Sequence, residues 1–89
     1  MTIKEAKLPV TLNLVFDNDS ELYSCELVAI ENIDTENNTC TLVCENLMPQ
    51  TCRLKAPYTS LDADAIHFAT GIHLFLDENE ATKLAESFK

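Results

Sequence analysis

Two turn signals flank the segment 23–34, and each requires a different set of its side chains to point inward. Upstream, Val10, Leu12, Leu14 and Phe16 alternate with Thr11 and Asn13, the period-two pattern of a half-buried strand. Asp17, Asn18, Asp19 and Ser20 then supply turn formers. A two-residue loop at Asn18-Asp19 sets Leu14 opposite Tyr23, Leu12 opposite Cys25 and Val10 opposite Leu27. Downstream, a turn over 34–38 centred on Glu36 sets Ile30 opposite Leu42 and Val28 opposite Cys44. The inward residues of the middle strand are therefore odd-numbered up to Leu27 and even-numbered from Val28 onward. A regular strand cannot change face in this way, so the segment must contain a bulge or a sharp bend, the device that curls a sheet toward a small barrel.

The remaining elements follow from shorter signals. The stretch 46–58, which holds Pro49 and Pro57, reads as an internal connection, and 51–56 as a fourth strand with Cys52 and Leu54 on one side and Arg53 and Lys55 on the other. Residues 60–76 admit two readings. In one, Thr59 or Ser60 caps a helix that runs to Thr70 and stops at Gly71, the only glycine of the chain. In the other, Ala69-Thr70-Gly71 is a hairpin loop that sets Phe68 opposite Ile72 and Ile66 opposite Leu74. The hairpin is favoured because both pairs are large and share a face, whereas the helix has only a narrow apolar stripe. At the end, Asp77 with Glu80 three residues later has the form of a capping box, and Ala81, Leu84, Ala85 and Phe88 make one stripe at helical spacing. Residues 78–88 are expected to be a helix that packs on the sheet or on another subunit, so that a homodimer is one arrangement the sequence allows. The expected fold class is mainly β (α+β), a small antiparallel barrel-like sheet of five to six strands with a C-terminal helix, in a single domain spanning residues 1–89.

Charge narrows the function. The chain has a formal net charge of −9, and between Leu8 and Cys52 it has no Lys or Arg but eight acids: Asp17, Asp19, Glu21, Glu26, Glu31, Asp34, Glu36 and Glu45. Such a surface repels nucleic acid and anionic lipid, whose binding depends on Lys and Arg replacing condensed counterions. No apolar run approaches the roughly 20 residues that span a bilayer. Four cysteines are too few for a disulfide-stapled scaffold, and 1–7 lacks an apolar signal region, so a reduced, cytoplasmic protein is expected.

Candidate chemistry is sparse. Cys40 and Cys44 would stand roughly 13 Å apart on one strand, too far to share a metal ion, and read with Cys25 as core fillers; Cys52 reads as the most accessible thiol. In the hairpin reading His67 and His73 face each other with Cβ atoms roughly 5 Å apart, close enough to hold a transition metal or to sense pH, but such a pair is more often a half-solvated cross-strand contact, and no metal is expected. Asp17, Asp19 and Glu21 alternate as in calcium loops, but the glycine and the distant bidentate Glu of such a loop are missing from the register. One glycine in 89 residues gives no phosphate cradle, and no nucleophile-elbow or zinc-protease motif occurs. No cofactor is expected, and the chain reads as non-catalytic.

The strand-turn-strand "VTLNLVFDNDSELYSCELVAI", the hairpin "DTENNTCTLVCEN" and the late pair "AIHFATGIHLFL", together covering roughly residues 8–76, resemble the small split-barrel domain that precedes the PilZ domain in flagellar-brake proteins. The resemblance is one of pattern. The cyclic-dinucleotide motifs of PilZ itself, Arg-x-x-x-Arg and Asp/Asn-x-Ser-x-x-Gly, do not occur, so no ligand residue is carried over. The resemblance implies a barrel that docks against another protein or domain. The leading expectation is a non-catalytic regulatory adaptor whose acidic turns, Asp17, Asp19, Glu21, Asp34 and Glu36, meet a basic surface on a partner protein. Two other readings stand beside it: a nucleic-acid mimic such as a phage-encoded inhibitor, with carboxylates aligned at phosphate-like spacing, and a small ligand-binding barrel in which His67, His73 and Cys52 or Tyr23 line a pocket.

Overall fold

The computed structural model describes residues 1–46 and 51–89. Six antiparallel strands form one curled half-barrel sheet in the order β4-β3-β2-β1-β6-β5. They are β1 (Val10–Phe16), β2 (Tyr23–Asp34), β3 (Thr39–Glu45), β4 (Cys52–Ala56), β5 (Ala65–His67) and β6 (Ile72–Phe75), followed by helix α1 (Glu78–Glu86). The part of the β3–β4 connection that contains Pro49 lies outside the described residues.

The first hairpin has the expected register, with Leu14, Leu12 and Val10 opposite Tyr23, Cys25 and Leu27. Its turn is wider than expected. The ladder with β2 ends at the Leu14–Tyr23 pair, and Phe16 pairs instead with Ile72 of β6. Two local bonds account for the wider loop. Asp17 N–H donates to Gly71 O at 2.9 Å, drawing the end of β1 toward β6. Asp19 Oδ1 accepts from Glu21 N–H at 2.9 Å, while Asn18 takes a left-handed φ of 64° that an Asn side chain tolerates.

The face change in β2 is a bulge. Leu27 pairs with Cys44 and Ala29 with Val43, so Val28, expected opposite Cys44, is the extra residue; Ile30 then faces Leu42 as expected. The register slips again between Glu31 and Asp34, where Asn32 has a φ of 52°. Each inserted residue turns the following side chains over, which keeps both Leu27 and Ile30 on the concave side. β4 continues the sheet, with Cys44 opposite Cys52 and Leu42 opposite Leu54. Of the helical alternative for 60–70, only a short 3-10 helix at Tyr58–Asp62 exists. Beyond it the chain forms the β5–β6 hairpin, with Ile66 opposite Leu74 and Phe68 N–H donating to Ile72 O. Gly71, at φ 89°, closes the loop.

The concave face carries the main core: Leu12, Leu14, Cys25, Leu27, Leu42, Cys44, Ile66 and Leu74, with Ile3 and Leu61 laid across it. The N-terminal segment is held there because Ile3 N–H donates to Ala63 O and Lys4 N–H to Leu61 O. Each fully buried Leu or Ile contributes about 1.5–3 kcal/mol through the area it removes from water. On the convex face α1 covers an apolar patch around Val15 and Phe75 with Ala81, Ala85, Leu84 and Phe88. The helix therefore packs on its own sheet. Its cap is Asp77, whose side chain accepts from Asn79 N–H, one position earlier than a capping box would use. No described helix is long and apolar enough to cross a membrane.

Candidate functional site

The acids chosen from the sequence do not share one patch. Asp17, Asp19 and Glu21 lie in the β1–β2 loop, and Asp34 and Glu36 at the β2–β3 turn, so they flank opposite ends of the twelve-residue β2. At about 3.3 Å per residue this separates the two groups by up to roughly 36 Å, in a molecule whose longest extent is 40 Å. Arg53 reaches Glu31 at 3.6 Å across the convex face, an exposed contact worth little in water. Lys4 lies over the Tyr58 ring, 5.4 Å from its centroid.

Each acidic end is ordered by its own hydrogen bonds. Asp34 Oδ2 accepts from the Asn37 side-chain amide at 2.8 Å and Oδ1 from Asn37 N–H at 3.1 Å, which holds its carboxyl below the ordinary value. The same turn is tied to the 3-10 helix by Thr59 N–H donating to Asn38 Oδ1 at 2.9 Å. At the other end the Tyr23 hydroxyl donates to Asp19 Oδ2 at 2.8 Å. That bond, aided by desolvation and the nearby Asp19 charge, raises the Tyr23 phenol from 10.0 to about 12. Because the folded protein keeps this proton to higher pH than the unfolded chain, the stabilisation is fully present below pH 10 and is lost as pH rises through 12. Absorbance titration of tyrosinate is expected to show one residue ionising near 12 and to return it toward 10 in Asp19→Asn.

The exposed apolar side chains gather at the same two ends. Beyond Met1, the large hydrophobic residues left exposed among the described residues are Leu22 and Tyr23 beside Asp19 and Glu21, and Ile33 beside Asp34. Tyr23 is braced edge-on by Phe16, with ring centroids 5.5 Å apart.

The thiols belong to the core. Cys25, Cys40 and Cys44 are buried and free, and donation to Cys44, with burial, pushes the Cys25 thiol up. Cys52 stands opposite Cys44 and packs against the concave core. No group of three or more His, Cys, Asp or Glu among the described residues is placed to hold a metal ion.

The two histidines do meet. His67 Nδ1 lies 2.9 Å from His73 Nδ1, and His73 Nε2 lies 2.6 Å from Asp17 Oδ1. β5 and β6 set the first contact by register, and the Asp17–Gly71 backbone bond sets the second. Both rings are on the convex face, where His67 also meets Phe75 edge-on at 5.5 Å. Neither Cys52 nor Tyr23 joins them: Cys52 faces the concave side on the far edge strand, and Tyr23 belongs to the β1–β2 end. The ligand-pocket combination read from the sequence is therefore not assembled. What local sequence patterns do not show is Asp17 as the anchor of His73, 56 positions away, and an open groove of about 490 Å³ beside the pair, lined by His67, Phe75, Glu80, Lys83, Leu84 and Ser87.

The class is thus a curled six-stranded antiparallel half-barrel with one helix on its convex face. No family model, no curated protein and no solved structure matches the chain.

Proposed function

We propose that this protein is a non-catalytic interaction domain of the cytoplasm, an adaptor whose acidic turns dock on basic protein surfaces. The observation that carries the reading is the coincidence at both ends of β2 of acidic turns with exposed apolar side chains: Leu22 and Tyr23 at one end, Ile33 at the other. Protein interfaces combine an aromatic or aliphatic anchor with a charged rim that steers encounter and fixes orientation. The buried free thiols suit a reducing compartment. The ribbon that carries both ends is also the part of the chain that resembles the docking barrel of flagellar-brake proteins. Two ends so far apart favour two separate contacts, as an adaptor needs, over the single aligned row of charges that nucleic-acid mimicry requires.

The test is recovery of interacting proteins by the tagged chain, compared with Asp19→Asn/Glu21→Gln and with Asp34→Asn/Glu36→Gln. A basic protein retained at physiological salt should be lost near molar salt, and at least one double variant should weaken its retention about tenfold or more. A partner held equally by all three proteins in molar salt, or no basic protein held by any of them, would refute the reading.

A further inference from the structure

The hydrogen-bond chain Asp17–His73–His67 has a consequence independent of the acidic ends. An ionised Asp17 only accepts, so His73 Nε2 carries a hydrogen. The 2.9 Å contact between the two Nδ1 atoms then has room for a single hydrogen. With both rings neutral that hydrogen belongs to His67, whose Nε2 is left as a bare acceptor. One added proton turns His67 Nε2 into a donor. The shared hydrogen can then sit on His73, so the positive charge is spread over the pair and reaches the ring that Asp17 faces. No heavy atom has to move. A fourth N–H would break the Nδ1–Nδ1 contact, so the pair takes up one proton and no more while it is intact.

His67 stands at the margin of the groove between α1 and the β5–β6 hairpin. The floor is apolar, made by Phe75 and Leu84, and Lys83 supplies the cation among the lining residues, with Glu80 one helical turn before it. The Ser87 hydroxyl already donates to Leu84 O. The charged or titratable groups facing the pair are therefore Asp17 from the β1–β2 loop and Glu80 and Lys83 from α1. Lys83 is offset by Glu80, and a charge on His73 by Asp17, so an incoming anion finds no surplus cation. It gains one by recruiting a proton to His67 Nε2.

We propose that this groove binds a small monocarboxylate with an aromatic or aliphatic body. The ring or chain lies on Phe75 and Leu84, the carboxylate is met by Lys83 and His67, and each binding event takes up one proton from solvent. Glu80 disfavours a ligand with a second negative charge.

Sodium benzoate is the probe, followed by histidine-resolved NMR and by calorimetry in buffers of different ionisation enthalpy. Saturable shifts are expected at His67, His73, Phe75 and Lys83, with uptake approaching one proton per benzoate. Affinity should fall as pH rises, by about tenfold per pH unit where each binding event takes up one full proton. Lys83→Ala should weaken binding about tenfold or more, the size of one charge-assisted hydrogen bond. His67→Gln should abolish proton uptake. Asp17→Asn, which leaves the groove lining intact, should reduce it, and far-UV circular dichroism of both variants confirms that the sheet is retained. Benzyl alcohol binding as tightly as benzoate, affinity unchanged between pH 5.5 and 8, or zinc chloride moving both imidazoles while benzoate moves neither would each overturn the proposal.

Discussion

Leu74→Ala is expected to cost about 2–5 kcal/mol, the range for removing a leucine from a core that cannot fully collapse around the gap. Leu74 is fully buried and sits where three strands meet, opposite Leu14 on β1 and Ile66 on β5. A domain of this size is stable by roughly 5–15 kcal/mol in total, so the variant is left near the threshold of folding. Urea unfolding followed by circular dichroism checks this. With a slope of about 1–1.5 kcal/mol per molar for a small protein, the midpoint should drop by roughly 1.3–5 M. A drop below half a molar would mean that β6 is not part of the main cooperative core.

Gly71→Val is expected to be nearly as damaging and to report on the histidines as well. Gly71 has a φ of 89°, and a Cβ placed on it would stand 3.0 Å from Asp17 Oδ2 and 3.2 Å from Asp17 Cγ. A β-branched residue in left-handed backbone costs about 1–2 kcal/mol in sterics alone, and the crowded carboxylate, whose other oxygen is bonded by His73, has to give by a few tenths of an ångström. The midpoint of urea unfolding should therefore fall, and the His73 ring signal should shift toward that of a histidine without a carboxylate partner. Asp17→Ala makes the complementary measurement: it frees the space and restores part of the lost stability in the double variant while the His73 shift persists. Independent, additive losses would show that Asp17 and Gly71 do not press on one another.

The registers of both hairpins, the bulged middle strand and the position of α1 were legible because each depends on neighbouring residues: alternation, turn formers and an N-cap Asp. The slip at Cys44, where Leu27 stands and not Val28, is the bulge itself: a count back from the second turn holds for Ile30–Leu42 and Ala29–Val43 and fails only past the extra residue. A second shift falls between Glu31 and Asp34, where Asn32 adopts left-handed backbone, and alternation alone does not announce it. The first turn was read too tight because the pull on Asp17 comes from Gly71, a residue of another hairpin. The His67–His73 pair could be inferred once Gly71 was placed in a loop, since register alone makes the rings face each other. Their link to Asp17 and the flanking Lys83 and Glu80 had no signature. Polar contacts across the sheet leave no period in the sequence, and helix positions 80, 83 and 87 read as an ordinary solvated face.

β1 begins at Val10, so among the described residues the middle strand past Leu27 is paired in the sheet on one side only. Among the described residues its other side is a sheet edge, and such an edge is the template on which stray chains polymerise. Here the ribbon twice breaks register and bears Glu31 and Asp34, which deny an incoming strand both the flatness and the neutrality it needs. The carboxylates in this region thus have a use apart from any binding: they discourage edge-to-edge stacking of identical copies.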